Sequence, residues 1–103
     1  MQDFNLTKQG NTLTAHISCE LDHHKAAGLR DAIDKRLCNG IKLLVLDFSG
    51  VPFMDSSGIG LIMGRADRAA EYGCRVRVSG LIPPLSRLVR LSGISKLENL
   101  EID

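Results

Sequence analysis

The sequence predicts an α/β domain built on a mixed, mostly parallel sheet of four to five strands, with three main helices. Three observations support this prediction. Short apolar segments of strand length alternate with longer segments in which apolar residues recur at helical spacing. Residues 41–48 (IKLLVLDF) are almost continuously apolar, which is typical of a central strand covered on both faces. The length of 103 residues fits a single domain, residues 1–103.

Two strand candidates come first in the chain, at residues 3–8 and 12–18. The sequence QGN separates them, and its Gly10 favours a hairpin-type turn. In the second candidate Leu13 and Ile17 lie on the same face, while polar residues occupy the other face. The alternation predicts a strand with one buried face.

The first helix is predicted from apolar residues that recur at helical spacing between Ala26 and Leu37. Asp22 lies where an N-cap residue is expected, because its side-chain oxygen can accept from a free backbone N–H of the first turn. Gly40 follows as the expected C-terminal stop. The segment 41–48 then forms the central strand.

The second helix has an apolar stripe that passes through Ile59, Met63 and Ala70, and it is expected to stop at Gly73. Residues 75–78 alternate arginine with valine, as in a half-exposed strand. This part of the chain therefore predicts one helix followed by one strand.

The third helix begins at Pro83, carries Leu85 and Leu88 inward, and ends at Gly93. Residues 100–102 suggest a final short strand. The order of elements is then ββαβαβα with a last strand. Connections between parallel strands are expected to be right-handed crossovers.

Composition excludes several classes of function. The formal net charge is +1, the sequence pI is about 7.8, and no lysine or arginine tract is present, so binding to nucleic acid is not expected. No apolar run reaches the length of a membrane span, so no membrane partner is expected either. The three cysteines form no CxxC pair, and we interpret them as free buried thiols of a cytoplasmic protein.

The stretch FMDSSGIG, residues 53–60, lies between the central strand and the second helix. That edge of an open α/β sheet is where ligands are usually bound. Neither serine fits the G-x-S-x-G pattern of a hydrolase nucleophile, because Met54 precedes Ser56 by two residues and Asp55 precedes Ser57 by two. A histidine for a catalytic triad could still come from elsewhere in the fold, so a small hydrolase or transferase that uses Ser56 stays open.

The sequence carries no complete motif for a cofactor site or a metal site. Gly58 and Gly60 begin a G-x-G-x-x-G motif, but Met63 stands in place of its third glycine, so no nucleotide cofactor is expected. The segment DHH at residues 22–24 has no further ligand at suitable spacing, so no metal is expected. A purely structural interpretation of the stretch is an N-cap by Asp55 or Ser56.

The combination of DSSGIG at residues 55–60 with ELDHH at residues 20–24 resembles the STAS family, the domains of sulphate transporters and anti-sigma factor antagonists. The likeness covers essentially the whole chain and is closest to the sporulation antagonists of spore-forming bacteria. It implies a binding protein switched by phosphorylation, and not an enzyme. Its implied partners are an anti-sigma factor that is a serine kinase with bound nucleotide, and a metal-dependent serine phosphatase.

The resemblance also implies roles for individual residues. The serine directly after the aspartate, Ser56, is the implied phosphorylation site. Extending the helical stripe backwards would instead expose Ser57 more than Ser56. The residues implied in partner binding share the two motifs: Asp22, Asp55, Ser56, Ser57, Gly58, Ile59 and Gly60. For Asp22 the N-cap role is an equal alternative.

One position departs from the pattern of the family. The family commonly has glycine where this chain has Cys19, which bears on the shape of that loop and not on the switch serine. Arg65 and Arg68 could lie on the partner surface, but a solvated helix face is the favoured interpretation for each. Within the family, an antagonist for a general-stress sigma factor also stays open.

Overall fold

The computed structural model describes residues 3–103 and confirms the α/β class. Five strands form one sheet in the order β1-β2-β3-β4-β5, in which only β1 and β2 are antiparallel. The predicted mixed, mostly parallel sheet is thus confirmed with five strands. The strands and helices are β1 (Phe4–Gln9), β2 (Thr12–Ile17), α1 (His23–Arg36), β3 (Leu43–Asp47), α2 (Ser56–Ala70), β4 (Arg75–Ser79), α3 (Pro83–Ser92) and β5 (Leu100–Ile102), with a short 3-10 helix at Ile94–Lys96.

The hairpin between β1 and β2 forms where the sequence predicted it. Gly10 has a φ of 61°, in the left-handed region that a residue with a Cβ rarely adopts. The strands pair in register from Phe4 opposite Ile17 to Gln9 opposite Thr12. This register places Leu13 and Ile17 on the buried face of β2, as the alternation predicted.

The central strand β3 is covered on one face only, which corrects the expectation from its continuous apolar sequence. Leu44 and Leu46 are fully buried, whereas Leu43 and Val45 are half-buried. The register of β3 with its parallel neighbours places every fully buried side chain of β2, β3 and β4 on the same face. The other face stays partly open to solvent, so a long apolar run alone overstates its burial.

Helix ends differ from the sequence expectation by a few residues. The first helix ends at Arg36 and not at Gly40, because Leu37 turns to an extended conformation that buries its side chain. The second helix ends at Ala70, and a turn leads from there to Gly73, whose φ is 68°. The third helix does end at Gly93, which has a φ of 82° as expected of a left-handed C-terminal glycine.

The cysteine interpretation is partly wrong. Cys19 and Cys74 are buried free thiols, and burial raises the pKa of both above the ordinary value of 9.0. Cys38 is exposed, because it follows the early end of α1. Cys19 has no left-handed backbone, since every described residue with positive φ is glycine, so the loop accommodates its side chain without strain. Across residues 3–103, the helices are too short or too polar to cross a bilayer.

Candidate functional site

Backbone hydrogen bonds join the two sequence motifs at the carboxyl edge of the sheet. The Leu21 N–H donates to the Phe53 carbonyl at 3.0 Å, and the Asp55 N–H donates to the Leu21 carbonyl at 3.2 Å. Leu21 and Met54 thereby form an isolated parallel bridge beyond the ends of β2 and β3. The bridge fixes the residues before α1 beside the residues before α2, so both helices begin at one place on the surface.

Both aspartates of the motifs are N-caps. Asp22 Oδ1 accepts from the Lys25 N–H at 2.8 Å, and Asp55 Oδ1 accepts from the Ser57 N–H at 2.8 Å. The hydrogen bond from Lys25 is the main cause that lowers the pKa of Asp22 below its ordinary value of 3.8. The predicted cap at Asp22 is confirmed, and of the two candidates for α2 the cap is Asp55 and not Ser56.

The two serines differ in exposure. Ser56 is the first residue of α2 and is exposed, whereas Ser57 is half-buried. The backward extension of the helical stripe, which predicted the opposite, is therefore wrong. Ser57 lies in the first turn of α2 beside residues of α1, which half-bury it. Ser56 is the serine whose side another protein can approach.

The three residues after the serines have different surroundings. Gly58 is buried, and a Cβ there would lie 3.0 Å from Met54 Cγ, so its small size is required by packing. Ile59 is half-buried, and Gly60 is exposed, with no atom within 4 Å of the place where a Cβ would lie. Close packing thus explains the first glycine but not the second.

An apolar groove lies beside Ser56, between the outer face of α2 and the end of α3. Its volume is about 720 Å³, and Asp55 and Ser56 form part of its wall. Large apolar side chains in its lining are unusually exposed: Phe53 59%, Met63 44%, Leu88 38% and Leu91 80%. Exposed apolar clusters of this kind mark interaction surfaces.

The exposure of side chains on α2 and α3 contradicts the helical stripes that the sequence predicts. The pattern puts Met63 and Leu88 on inward stripes and Ala70 on the stripe of α2, yet all three are exposed. It detects apolar residues at helical spacing but cannot tell that the stripe continues around the helix beyond the core. The width of the stripe was the signal in the sequence, because α2 and α3 carry more apolar residues than one buried face requires.

Arg65 is not on a solvated helix face, contrary to the favoured expectation. It is only 7% exposed, and its Nε lies 3.1 Å from Asp34 Oδ1 in an ion pair between α2 and α1. Burial lowers the pKa of Arg65, and the Asp34 carboxylate opposes that effect. Arg68 is exposed, as expected.

The histidines are not arranged for nucleophilic catalysis at the serines. The His16 ring pairs with Asp47 at 3.1 Å and contacts the Thr7 hydroxyl at 3.4 Å, both on the sheet. Burial raises the pKa of Asp47, but hydrogen bonds from Ser49 and His16 outweigh it and leave that pKa below 3.8. Within residues 3–103 no histidine makes a hydrogen bond to Ser56 or Ser57.

Comparison with known proteins gives consistent matches. The model of the STAS domain family matches residues 3–102. A protein of Paenibacillus polymyxa named anti-sigma F factor antagonist is 38% identical over 89 residues, covering 82% of this chain and 74% of that protein. The structure of the anti-sigma factor antagonist SpoIIAA in its unphosphorylated form has a TM-score of 0.81 at 24% identity, covering 97% of this chain and 87% of the other. The Bacillus cell fate determinant SpoIIAA in the phosphorylated form has a TM-score of 0.73 at 24% identity, covering 97% and 90%.

Proposed function

The chain belongs to the STAS domain family, and from that membership we propose that it is an anti-sigma factor antagonist switched by phosphorylation of Ser56. In this proposal the unphosphorylated chain binds an anti-sigma factor that is also a serine kinase, and so releases the sigma factor. The kinase, with bound nucleotide, phosphorylates Ser56 and ends the interaction. A metal-dependent serine phosphatase restores the hydroxyl. The protein acts in the cytoplasm as a binding partner and not as an enzyme.

The single observation that carries the proposal is the position of Ser56. It is an exposed hydroxyl at the start of α2, on the wall of an apolar groove with four exposed large side chains. An exposed apolar surface supplies binding energy to a partner, because burying it removes apolar area from water. A hydroxyl on that surface is both within the contact area and open to a kinase active site.

Two further observations support the same surface. The bridge between Leu21 and Met54 holds Asp22 beside the start of α2, so both motifs can face one partner. Solved structures with this fold include the antagonist SpoIIAA in an unphosphorylated and in a phosphorylated form. We propose as partner-binding residues those of the two motifs: Asp22, Asp55, Ser56, Ser57, Gly58, Ile59 and Gly60.

Phosphorylation would end binding by electrostatics at the interface. A phosphoserine carries about −1.5 to −2 charges and three acceptor oxygens. Inside an interface shaped for a hydroxyl, that charge must be desolvated without a partner, which costs several kcal/mol. Each 1.4 kcal/mol is about a tenfold loss of affinity, so binding falls by orders of magnitude without a change of fold.

The test incubates the protein with ATP and a candidate anti-sigma kinase, and measures phosphate incorporation and binding. Ser56→Ala should bind the kinase but incorporate no phosphate, and Ser56→Asp should remain folded but bind poorly. Ser57→Ala is the matched control, because it removes the neighbouring hydroxyl and should still be phosphorylated. Stoichiometric phosphorylation of Ser56→Ala would show that another residue is the switch.

The same experiment addresses the two alternatives. An antagonist of a general-stress sigma factor would be phosphorylated at the same serine but would bind a different anti-sigma factor. A small hydrolase would instead turn over ester substrates in the absence of any partner, and Ser56→Ala would abolish that turnover. The name of the Paenibacillus polymyxa relative supports the sigma-F pathway.

A further inference from the structure

The outer side of α3 is basic and adjoins the apolar groove. Arg87 and Arg90 are exposed there, and together with Leu91 they line a second groove of about 560 Å³. Leu91 lines both grooves, so the two form one continuous surface. We propose that the anti-sigma factor covers this surface with a segment rich in carboxylates, which pairs with Arg87 and Arg90. The inference rests on the proposed function and adds the chemistry that the partner must present.

The positive charge of this side of the molecule is set by the sequence. Residues 72–97 contain four arginines and one lysine and no carboxylate, although the net charge of the whole chain is only +1. Arg77 pairs with Glu101 at 3.4 Å. Within residues 3–103, Arg87 and Arg90 take part in no ion pair. Their charge is therefore left for a partner to neutralise.

The two arginines lie on the same side of α3 as the apolar groove. Arg87, Arg90 and Leu91 follow the spacing of three and four residues that places side chains on one helix face. Leu85 and Val89 occupy the buried face. The helix dipole favours a cation in the last turn, which accounts for Arg90 but not for Arg87, since Arg87 lies earlier in the helix. Helix stability alone thus explains one arginine of the pair.

An anionic bilayer would also be attracted by exposed apolar side chains next to arginines. The charges along the surface favour a protein instead. Asp55 lies on the wall of the apolar groove beside Ser56, whereas the arginines lie on α3. A bilayer presents negative charge everywhere and would be repelled by Asp55. A folded partner can place its carboxylates opposite α3 alone, which is the charge complementarity that protein interfaces show.

The first test reverses the charge of α3 and measures association with the kinase that phosphorylates Ser56. The double variant Arg87→Glu with Arg90→Glu should associate roughly tenfold or more slowly than wild type at low salt, because opposite charges speed encounter. The deficit should shrink between about 0.1 M and about 1 M salt, as the Debye length falls from about 10 Å to about 3 Å.

The matched control is the double variant Arg36→Glu with Arg75→Glu, which changes the net charge by the same amount. Both arginines are exposed, and neither makes an ion pair within the described chain, residues 3–103. Arg36 ends α1 and Arg75 begins β4, so both lie at the opposite edge of the sheet from Ser56. The control should associate nearly as wild type does, and circular dichroism should show both double variants folded.

The second test identifies the partner group directly. Arg90→Lys keeps the charge and supplies an amine, which a carbodiimide condenses with a nearby carboxylate to an amide while the reagent takes up the water as a urea. Mass spectrometry of the complex should find Lys at position 90 joined to an aspartate or glutamate of the kinase. In the control Arg75→Lys, the introduced lysine should form no such link.

Ser56→Asp, measured alongside, separates this inference from the proposed function. If Ser56→Asp loses binding but the two double variants associate equally, the proposed function stands and the acidic partner segment is wrong. Wild-type binding by Ser56→Asp would instead contradict the proposed switch. Sedimentation with phosphatidylglycerol vesicles tests the bilayer. Vesicle binding that the α3 double variant abolishes, with its kinase association unchanged, would assign the basic surface to a membrane and overturn the inference.

Discussion

The stability of the protein should depend on pH in the acid range because Asp22 titrates there. Its hydrogen bond from Lys25 lowers its pKa in the folded state below 3.8. A carboxyl of this kind stabilises the fold above its unfolded pKa, and the contribution is lost as pH falls through the lower folded value. Asp22→Asn keeps a capping oxygen but has no proton to gain, so its Tm should fall less steeply than that of wild type below about pH 4.

The measurement is Tm against pH by circular dichroism. Asp67→Asn is the control, because it removes an exposed carboxylate of α2 that caps no helix. Curves for Asp22→Asn and wild type that superimpose down to about pH 2 would show that the cap contributes nothing that titrates.

Single residues were predicted well where their role is local. Both caps, Asp22 and Asp55, could be located in the sequence because an N-cap bonds to a backbone N–H only two or three residues away. The burial of Arg65 could not be predicted in this way, because Arg65 pairs with Asp34 on another helix. A charged residue in a helix is usually solvated, so the sequence alone favoured the wrong environment.

The glycines of α2 should respond in opposite directions to the same substitution. Gly60→Ala adds a methyl group in open space and should stabilise the fold by about 0.5–1 kcal/mol, since alanine is the better helix former. Gly58→Ala gains the same propensity but drives its methyl group into buried Met54, and overpacking costs about 1–3 kcal/mol. We expect a net loss at position 58.

Urea unfolding of the two variants and wild type gives the comparison directly. The pair is internally matched, because both substitutions are the same and lie two residues apart on one helix. Equal stabilisation of the two variants would mean that Met54 repacks freely and that Gly58 has no packing role.

The ion pair between Asp34 of α1 and Arg65 of α2 should couple these two helices strongly in the free energy of unfolding. Asp34→Ala leaves the buried Arg65 guanidinium without its counter-charge. Losing one partner of a buried pair costs about 3–5 kcal/mol, and because Asp34 is 24% exposed we expect about 2–3 kcal/mol. The double variant Asp34→Leu with Arg65→Met should recover most of that loss, as apolar replacement leaves no unpaired charge. Additive losses in the cycle of Asp34→Leu, Arg65→Met and their double variant would contradict the coupling.

At the scale of helices and strands, the sequence predicted which elements exist better than how they are covered. The repeat of apolar residues located α1, α2 and α3, but it placed Met63 and Leu88 in the core although both are exposed. Periodicity reports the faces of a helix that are apolar. It does not report which apolar face the fold covers, because this depends on neighbours that are distant in sequence.

At the scale of the whole molecule, the order of strands and helices was enough to predict a mixed sheet with parallel crossovers. The meeting of the two motifs was not predictable in the same way. It depends on the bridge between Leu21 and Met54, which joins segments that follow different strands. Only the resemblance to a family indicated that both segments belong to one site.

A substitution in the apolar groove should lower the affinity for the anti-sigma factor and leave the stability of the fold nearly unchanged. Leu91 is 80% exposed, so Leu91→Ala should change the free energy of unfolding by less than about 0.5 kcal/mol. If the groove binds the anti-sigma factor, the same variant should lose about 1–2 kcal/mol of binding, or about 5–30-fold in affinity. Ile82→Ala is the control, since Ile82 is also an exposed large apolar residue but does not line the groove. Equal affinities of the two variants would place the interface elsewhere.

Phosphorylation of Ser56 should leave the whole fold nearly unchanged. Ser56 is exposed, so the phosphate stays in water, and it lies at the positive end of the α2 dipole, where an anion is favourable. The Asp55 carboxylate beside it opposes this attraction, and solvent screens both effects. We expect the Tm of the phosphorylated protein to lie within a few degrees of the unphosphorylated one, with the same helical circular dichroism signal. A large loss of helical signal would mean that phosphorylation acts by unfolding α2, and binding would then be lost through the fold and not through charge at the interface.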